Sequence, residues 1–250
     1  MKILAFDTSL GAVSVAVRWI GPDGQWRLRL AHEVRERGHA ERLMPMIAEV
    51  MREAGLAFSV IDRIAVTLGP GSFTGVRVGV AAARGLALAL GAPTVGASTL
   101  AVMAHEADAW LGAARRDRLL AVAVDARRSS IYLQLFPRGH HAAGPPQLCS
   151  AHEAARRIGV APAIIVGSGA EAVVRALAAA GGQAEAMLPQ LLPAARSLAL
   201  LATDLAPIDP LRPLYLRPLD AKPQADPCHP RPTPRHNPRH NPRPNPRPNP

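Results

Sequence analysis

Ile64-Ala65-Val66-Thr67-Leu68, followed by Gly69-Pro70-Gly71-Ser72-Phe73-Thr74-Gly75-Val76-Arg77-Val78-Gly79, is an apolar run closed by a glycine-rich turn. The run has the length and β-branched content of a buried strand. The Ala/Leu/Gly segment after it, Val80 to Leu90, has the composition of a helix. A strand, a glycine-rich turn and a helix can set backbone N–H groups around an anion, or press one backbone against another. Glycine continues into the helix at Gly75, Gly79 and Gly85. Each helical glycine costs roughly 1 kcal/mol relative to alanine, so the recurrence predicts close approach of a second backbone or helix.

Upstream, Ile3 to Val17 reads as a strand, an Asp-containing turn and a second strand, with Val13, Val15 and Val17 on one face and Ser14 and Ala16 on the other. Leu119 to Phe136 repeats the pattern: an apolar strand to Asp125, a polar turn Arg127-Arg128-Ser129-Ser130, then Ile131-Tyr132-Leu133-Gln134-Leu135. At an offset of 118 residues Asp7 falls on Asp125 and Val13 on Ile131. Each copy leads to a later apolar strand that ends in glycine, Ile64–Leu68 and Ala163–Val166, and each of those leads to a helix. The duplicated order of strand, strand, helix, strand, helix predicts an α/β fold of two like lobes, with helices covering mixed sheets. The expected division is an N-terminal lobe over residues 1–100, completed by about 195–220, and a C-terminal lobe over 101–194. Leu43, Met46, Ile47, Val50 and Ala54 predict a helix from near His39 to Ala54, stopped by Gly55. Met44 and Met51 widen its apolar face, which serves either the core alone or the core and a partner.

Composition narrows the function classes. With 48% apolar and 4% aromatic residues, the core is expected to be mostly Ala, Leu and Val. Arg84 interrupts the most apolar helix, which argues against a membrane span. Asp7 stands where a signal peptide needs its apolar segment, so no secretion signal is expected. Cys149 and Cys228, far apart, give no disulfide framework and fit a reducing cytoplasm. The net charge of +10 suggests nucleic acid. Half of it, however, lies in residues 221–250, where six Lys or Arg face only Asp226. There proline alternates with Arg, His and Asn, a composition that forbids helix and sheet and predicts an extended, solvated tail. Binding of nucleic acid through that tail is a further reading.

Asp7 and Asp125, each at a strand end before a tight hairpin, sit where actin-like and sugar-kinase-like ATPases hold metal and phosphate. The first hairpin, Thr8-Ser9-Leu10-Gly11, has hydroxyls but no lysine, and the second has Arg127 and Arg128 but no glycine. Phosphotransfer needs more metal-holding acids and donors than that. A helical metal pair would need a second histidine four residues after His39, where Leu43 stands. His140-His141 and the tail histidines His229, His236 and His240 have no convincing ligand spacing. Ser72 and Ser168 lack the Gly-x-Ser-x-Gly setting of a nucleophile elbow, and His152, three residues after Cys149, is too little for a thiol enzyme.

Met1-Lys2-Ile3-Leu4-Ala5-Phe6-Asp7-Thr8-Ser9, His39-Ala40-Glu41-Arg42-Leu43-Met44-Pro45, the Gly69–Gly79 stretch, Val124-Asp125-Ala126-Arg127 and Pro213-Leu214-Tyr215-Leu216-Arg217 together resemble the bacterial TsaB (YeaZ) family, over residues 1 to about 220. The resemblance implies an actin-like (ASKHA, ribonuclease H-like) two-lobed fold and a cytoplasmic role in forming threonylcarbamoyladenosine in tRNAs that read ANN codons. It implies a non-catalytic subunit that binds TsaD, the metal-holding paralogue, with the ATPase TsaE joining the assembly and tRNA reached through the complex. The first two helices would be the docking surface, and helical spacing assigns to it His39, Arg42, Leu43, Met46, Ile47 and Val50 on one and Val76, Arg77, Gly79, Val80 and Ala83 on the other. Arg127 would add a polar contact at the rim. Asp7, Thr8, Ser9 and Asp125 would be remnants of a nucleotide site. No intrinsic cofactor or metal is implied; a nucleotide at the partner interface and a homodimer through the same helices stay open. The competing enzyme reading is a stand-alone actin-like ATPase or small-molecule kinase.

Overall fold

The computed structural model describes residues 1–115, 117–137 and 142–217. Residues 1–217 form one compact unit. The histidines at 140 and 141 and the segment 221–250 lie outside the described residues.

The first half builds β1 (Lys2–Asp7), β2 (Ala12–Ile20), β3 (Trp26–Val34), α1 (His39–Ala54), β4 (Arg63–Thr67), α2 (Phe73–Leu90) and β5 (Thr94–Ala97), then α3 (Thr99–Leu111). The second half builds β6 (Leu119–Asp125), β7 (Ile131–Phe136), β8 (Gln147–Cys149), α4 (Ala151–Ile158), β9 (Ala163–Val166), α5 (Ala170–Ala179) and β10 (Ala184–Met187), then α6 (Ala195–Leu201). The two sheets share one topology, β3-β2-β1-β4-β5 and β8-β7-β6-β9-β10. In each, the first strand pairs antiparallel with its hairpin partner and parallel with the strand that returns after a helix. The repeat is therefore real at the level of the ladder. Its register is corrected by one residue: Asp7 opposes Ser14, whereas Asp125 opposes Ile131. The first hairpin turn is one residue longer, so Ser14, not Val13, is the counterpart of Ile131.

Side-chain alternation assigns the faces. Leu4, Phe6, Val13, Val15, Val17, Ile64 and Val66 pack under α1 and α2. The opposite face, with Ile3, Ala5, Ala16, Ala65 and Val95, is covered by α6. In the second sheet Ala121, Ala123, Ile131, Leu133 and Ile165 lie under α4 and α5. Leu120, Val122, Val124, Ile164 and Val166 lie against α3. The helix that follows each half thus covers a face of the other half's sheet.

α1 starts at His39 and stops at Gly55, which adopts φ 66, as its apolar spacing predicts. α2 begins at Phe73, two residues before Gly75, the first glycine read into the helix, and seven before the Val80–Leu90 run. Ser72 caps it, its side chain accepting from Gly75 N at 2.9 Å, and a capped first turn can carry Phe73 and Thr74 ahead of that glycine. Among the described residues α2 is the one helix long and apolar enough to cross a membrane, yet one side of it lies buried on the sheet. β3, an exposed edge strand, is passed over by the sequence reading although Trp26, Leu28 and Leu30 alternate with Arg27 and Arg29 along it.

Candidate functional site

Asp7 ends β1 fully buried. Its Oδ1 accepts from the Ser9 hydroxyl at 2.6 Å, the Ser9 backbone N–H at 3.2 Å and the Thr67 hydroxyl, while Oδ2 has no partner. Loss of water around the carboxylate pushes its pKa up to about 6; the hydrogen bonds from Ser9 and Thr67, and the charge of His39, pull the other way. Thr99 donates to the Ser9 hydroxyl at 3.0 Å, so the polar cluster spans β1, β4 and the start of α3.

The glycine-rich turn closes over this hairpin. Ser72 N donates to Ser9 O at 2.8 Å, and the Thr8 hydroxyl donates to Gly75 O at 2.7 Å. A Cβ on Gly71 would sit 2.2 Å from the Ser9 carbonyl oxygen, and one on Gly75 2.1 Å from that of Thr8. A Cβ on Gly79 would sit 2.8 Å from the Thr8 hydroxyl. The helical glycines do accommodate a second backbone, but it is the chain's own β1–β2 turn. Of the three glycines within α2, Gly85 alone faces open space. Thr8 and Ser9, placed by sequence with a nucleotide site, are buried beneath this turn.

Asp125, the counterpart of Asp7, is exposed. Its Oδ1 accepts from Arg127 N at 2.7 Å, and its own N–H donates to the Ser168 hydroxyl at 3.0 Å. Arg127, Arg128 and Ser129 all adopt left-handed φ, between 52 and 62, and Arg217 donates to the carbonyls of Ala126 and Arg127 at 3.1 and 3.3 Å. The two acids thus stand in opposite environments, one sealed and one solvated. Among the described residues no group of three His, Cys, Asp or Glu is placed to hold a metal ion.

The docking residues read from helical spacing need correction. Leu43, Met46, Ile47 and Val50 on α1, and Val76, Gly79, Val80 and Ala83 on α2, are all buried in the chain's own core. The apolar stripe of a helix on a sheet goes to the sheet first, and these residues are that stripe. Arg42 is also engaged internally: its Nε donates to Glu33 at 2.8 Å, and both terminal nitrogens hold Glu49 at 2.7 and 2.8 Å. Those carboxylates push the guanidinium pKa further up. His39 donates from Nε2 to Leu10 O at 2.9 Å and pins the first hairpin. Arg77, stacked over the Phe73 ring at 4.9 Å, and Arg127 remain at the surface.

The outward faces of the same two helices carry Met44 and Gly85, which the sequence reading notes, and Ala48, Ala81 and Leu88, which it passes over. Met44 and Ala48 on α1, and Ala81, Gly85 and Leu88 on α2, are exposed, Leu88 by 88%. Phe73, exposed at the start of α2, lies 5.5 Å from the Tyr215 ring. The signal was available in the second phase of the helical spacing, the residues left over once the core stripe is removed.

A sequence profile of the family described as "TsaD: tRNA N6-adenosine threonylcarbamoyltransferase" matches residues 32–164. The chain is 39% identical over 138 residues to the tRNA threonylcarbamoyladenosine biosynthesis protein TsaB of Escherichia coli K12, covering 55% of this chain and 56% of that one. An uncharacterized protein of Mycobacterium tuberculosis H37Rv is 34% identical over 226 residues, covering 89% and 95%. The crystal structure of YeaZ from Pseudomonas aeruginosa superposes with a TM-score of 0.71 at 31% identity, covering 86% of this chain and 99% of that one. The chain spans about half the length of the curated TsaB relatives it matches.

Proposed function

The chain belongs to the TsaB (YeaZ) family, with the two-lobed α/β fold of its actin-like class, and on that premise we propose that it serves threonylcarbamoyladenosine formation in tRNA as a non-catalytic subunit docked on a TsaD-type transferase. The observation that carries this reading is the outward face of α1 and α2. Met44, Ala48, Ala81, Gly85 and Leu88 are small or apolar and exposed, with Arg84 exposed among them, on two helices that pack on the same face of one sheet. Small residues let a partner's helices approach closely, and exposed apolar surface of this kind marks an interface. The buried state of Thr8 and Ser9 supports leaving the chemistry to the partner. In this reading the complex works in the cytoplasm, TsaE joins it, tRNA is reached through TsaD, and any nucleotide sits at the junction between chains.

The test is co-purification with the cognate TsaD. Ala81→Arg and Leu88→Arg are expected to abolish it while thermal melting stays unchanged. Val80→Arg, which buries an unpaired charge, is expected to unfold the chain instead. Undiminished complex formation by the two outward variants would overturn the docking face. In a mixture of TsaC, TsaD and TsaE, tRNA modification should require the chain. ATP turnover by the pure protein, lost on Asp7→Ala, would favour the enzyme reading.

A further inference from the structure

β3 is a nine-residue edge strand whose outer side pairs with no other strand among the described residues. Its ladder to β2 runs without a bulge from Ala12↔Val34 to Ile20↔Trp26. Such an edge offers a row of backbone donors and acceptors to another strand. Proteins guard such an edge with short strands, bulges, prolines or charged side chains. β3 has neither bulge nor proline; its charges Arg27, Arg29 and Glu33 lie on one face, and Trp26, Leu30 and Val34 lie on the other, exposed by 42, 38 and 70%. Arg18 stacks on Trp26 at 3.6 Å, holding that ring at the edge.

We propose that β3 pairs antiparallel with β3 of a second copy of this chain, about a two-fold axis through Leu30, joining two five-stranded sheets into one. The sequence is self-complementary in that register. Trp26 falls opposite Val34 of the second copy, Leu28 opposite His32, Leu30 opposite itself, and Arg27 opposite Glu33. All of these are like-faced, because residues of the same parity meet across an antiparallel pair. The pairing sets an aromatic ring against a β-branched side chain twice and opposite charges against each other twice, the combinations that stabilise cross-strand neighbours. Arg27 and Glu33 side chains are exposed by 48% and 40% and so can reach across. Arg27 already holds Asp23 at 3.0 Å; Glu33 already takes Arg42 at 2.8 Å and Arg35 at 3.2 Å. A register shifted toward Arg29 would oppose Arg29 to itself, and one shifted toward Ala31 would oppose Arg29 to Glu33 but also Arg27 to Arg35 and Trp26 to Glu36 beyond the strand end; of the three, the Leu30 register alone has no like-charge pair. This surface is separate from the outward face of α1 and α2 and does not rest on the reading of that face.

The test uses the full chain with Cys228→Ser, to remove the tail thiol, and Leu30→Cys at the two-fold axis. The readout is the fraction of disulfide-linked dimer in a glutathione redox buffer. The parent should cross-link readily. Arg27→Glu alone, or Glu33→Arg alone, should lower cross-linking at least about tenfold, because each places like charges opposite one another twice. Mixing the two variants should restore it, since in their heterodimer both cross-strand pairs at these positions again join a guanidinium to a carboxylate. Arg29→Cys in place of Leu30→Cys should link poorly, and circular-dichroism melting checks that each variant is folded. No cross-linking of the parent, single variants as efficient as the parent, no recovery on mixing, or Arg29→Cys linking as well as Leu30→Cys would each overturn the proposal. A dimer through α1 and α2 leaves these readouts unmoved.

Discussion

Asp7 binds its proton more tightly in the folded chain than in the unfolded one, because burial removes water that three accepted hydrogen bonds at Oδ1 only partly replace. Its folded pKa of about 6 stands above the ordinary value of 3.8. For an acid raised in this way the stabilisation is fully present below the unfolded pKa and is lost as pH rises through the folded one. Asp7→Asn keeps an acceptor at Oδ1 and removes the buried charge. It is expected to raise stability at pH 8 by up to about 3 kcal/mol and to leave it nearly unchanged at pH 3.5. Urea unfolding of both proteins across that pH range checks this; a gain that is the same at both ends would contradict the assignment to ionisation. The residue type and its place at the strand end were readable from sequence. Its sealing was not, since that depends on Thr67, sixty residues away, and on the turn that closes above it.

The glycines of α2 divide by what faces them. At Gly75 a methyl group would meet the carbonyl of Thr8 at 2.1 Å, backbone against backbone, so neither side can move aside cheaply. At Gly85 it would meet nothing within 4 Å. Gly75→Ala is therefore expected to lower stability by about 3 kcal/mol through forced overpacking. Gly85→Ala should raise it by about 0.5–1 kcal/mol, the ordinary gain of alanine in a helix. Guanidinium midpoints of the two variants against the parent separate these outcomes; equal effects would show that α2 does not ride on the β1–β2 turn. Sequence reading found the helical stripe of α1 and its boundaries but assigned that stripe to a partner. Periodicity reports which residues share a face. It does not report whether a sheet or another protein lies beneath it.

α3 and α6 tie the two halves together through one carboxylate. Glu106 on α3, 5% exposed, accepts from Ser197 at 2.6 Å, from Trp110 at 3.1 Å and from Arg196 at 3.0 Å through Nε and again through a terminal nitrogen. Burial works to raise its pKa, but the hydrogen bonds from Arg196, Ser197 and Trp110 outweigh it and hold the carboxyl below its ordinary range. A lowered acid stabilises above its unfolded pKa, and that contribution is lost as pH falls through the folded pKa. Glu106→Ala removes the carboxylate and leaves Ser197 without its acceptor. Because Arg196 is 39% exposed and keeps its water, the expected cost at pH 7 is about 2 kcal/mol. That corresponds to a drop of about 4–8 °C in melting temperature, shrinking as the buffer is made acidic. Thermal melts at pH 7 and pH 3.5 test it; an equal drop at both would mean lost packing alone.

Hydrophobic spacing, strand-end acids and glycine punctuation follow from local steric rules, so the duplicated strand-turn-strand units, the bounds of α1 and the two-lobed α/β class were legible in the chain. What required the tertiary structure was contact between segments remote in sequence. The burial of Asp7, the seat of Gly75 on Thr8, the exchange of α3 and α6 between sheets, and the outward phase of α1 and α2 all depend on which surface meets which. That information resides in the closed geometry of both sheets together, because a side chain's environment is set by neighbours that no local window contains.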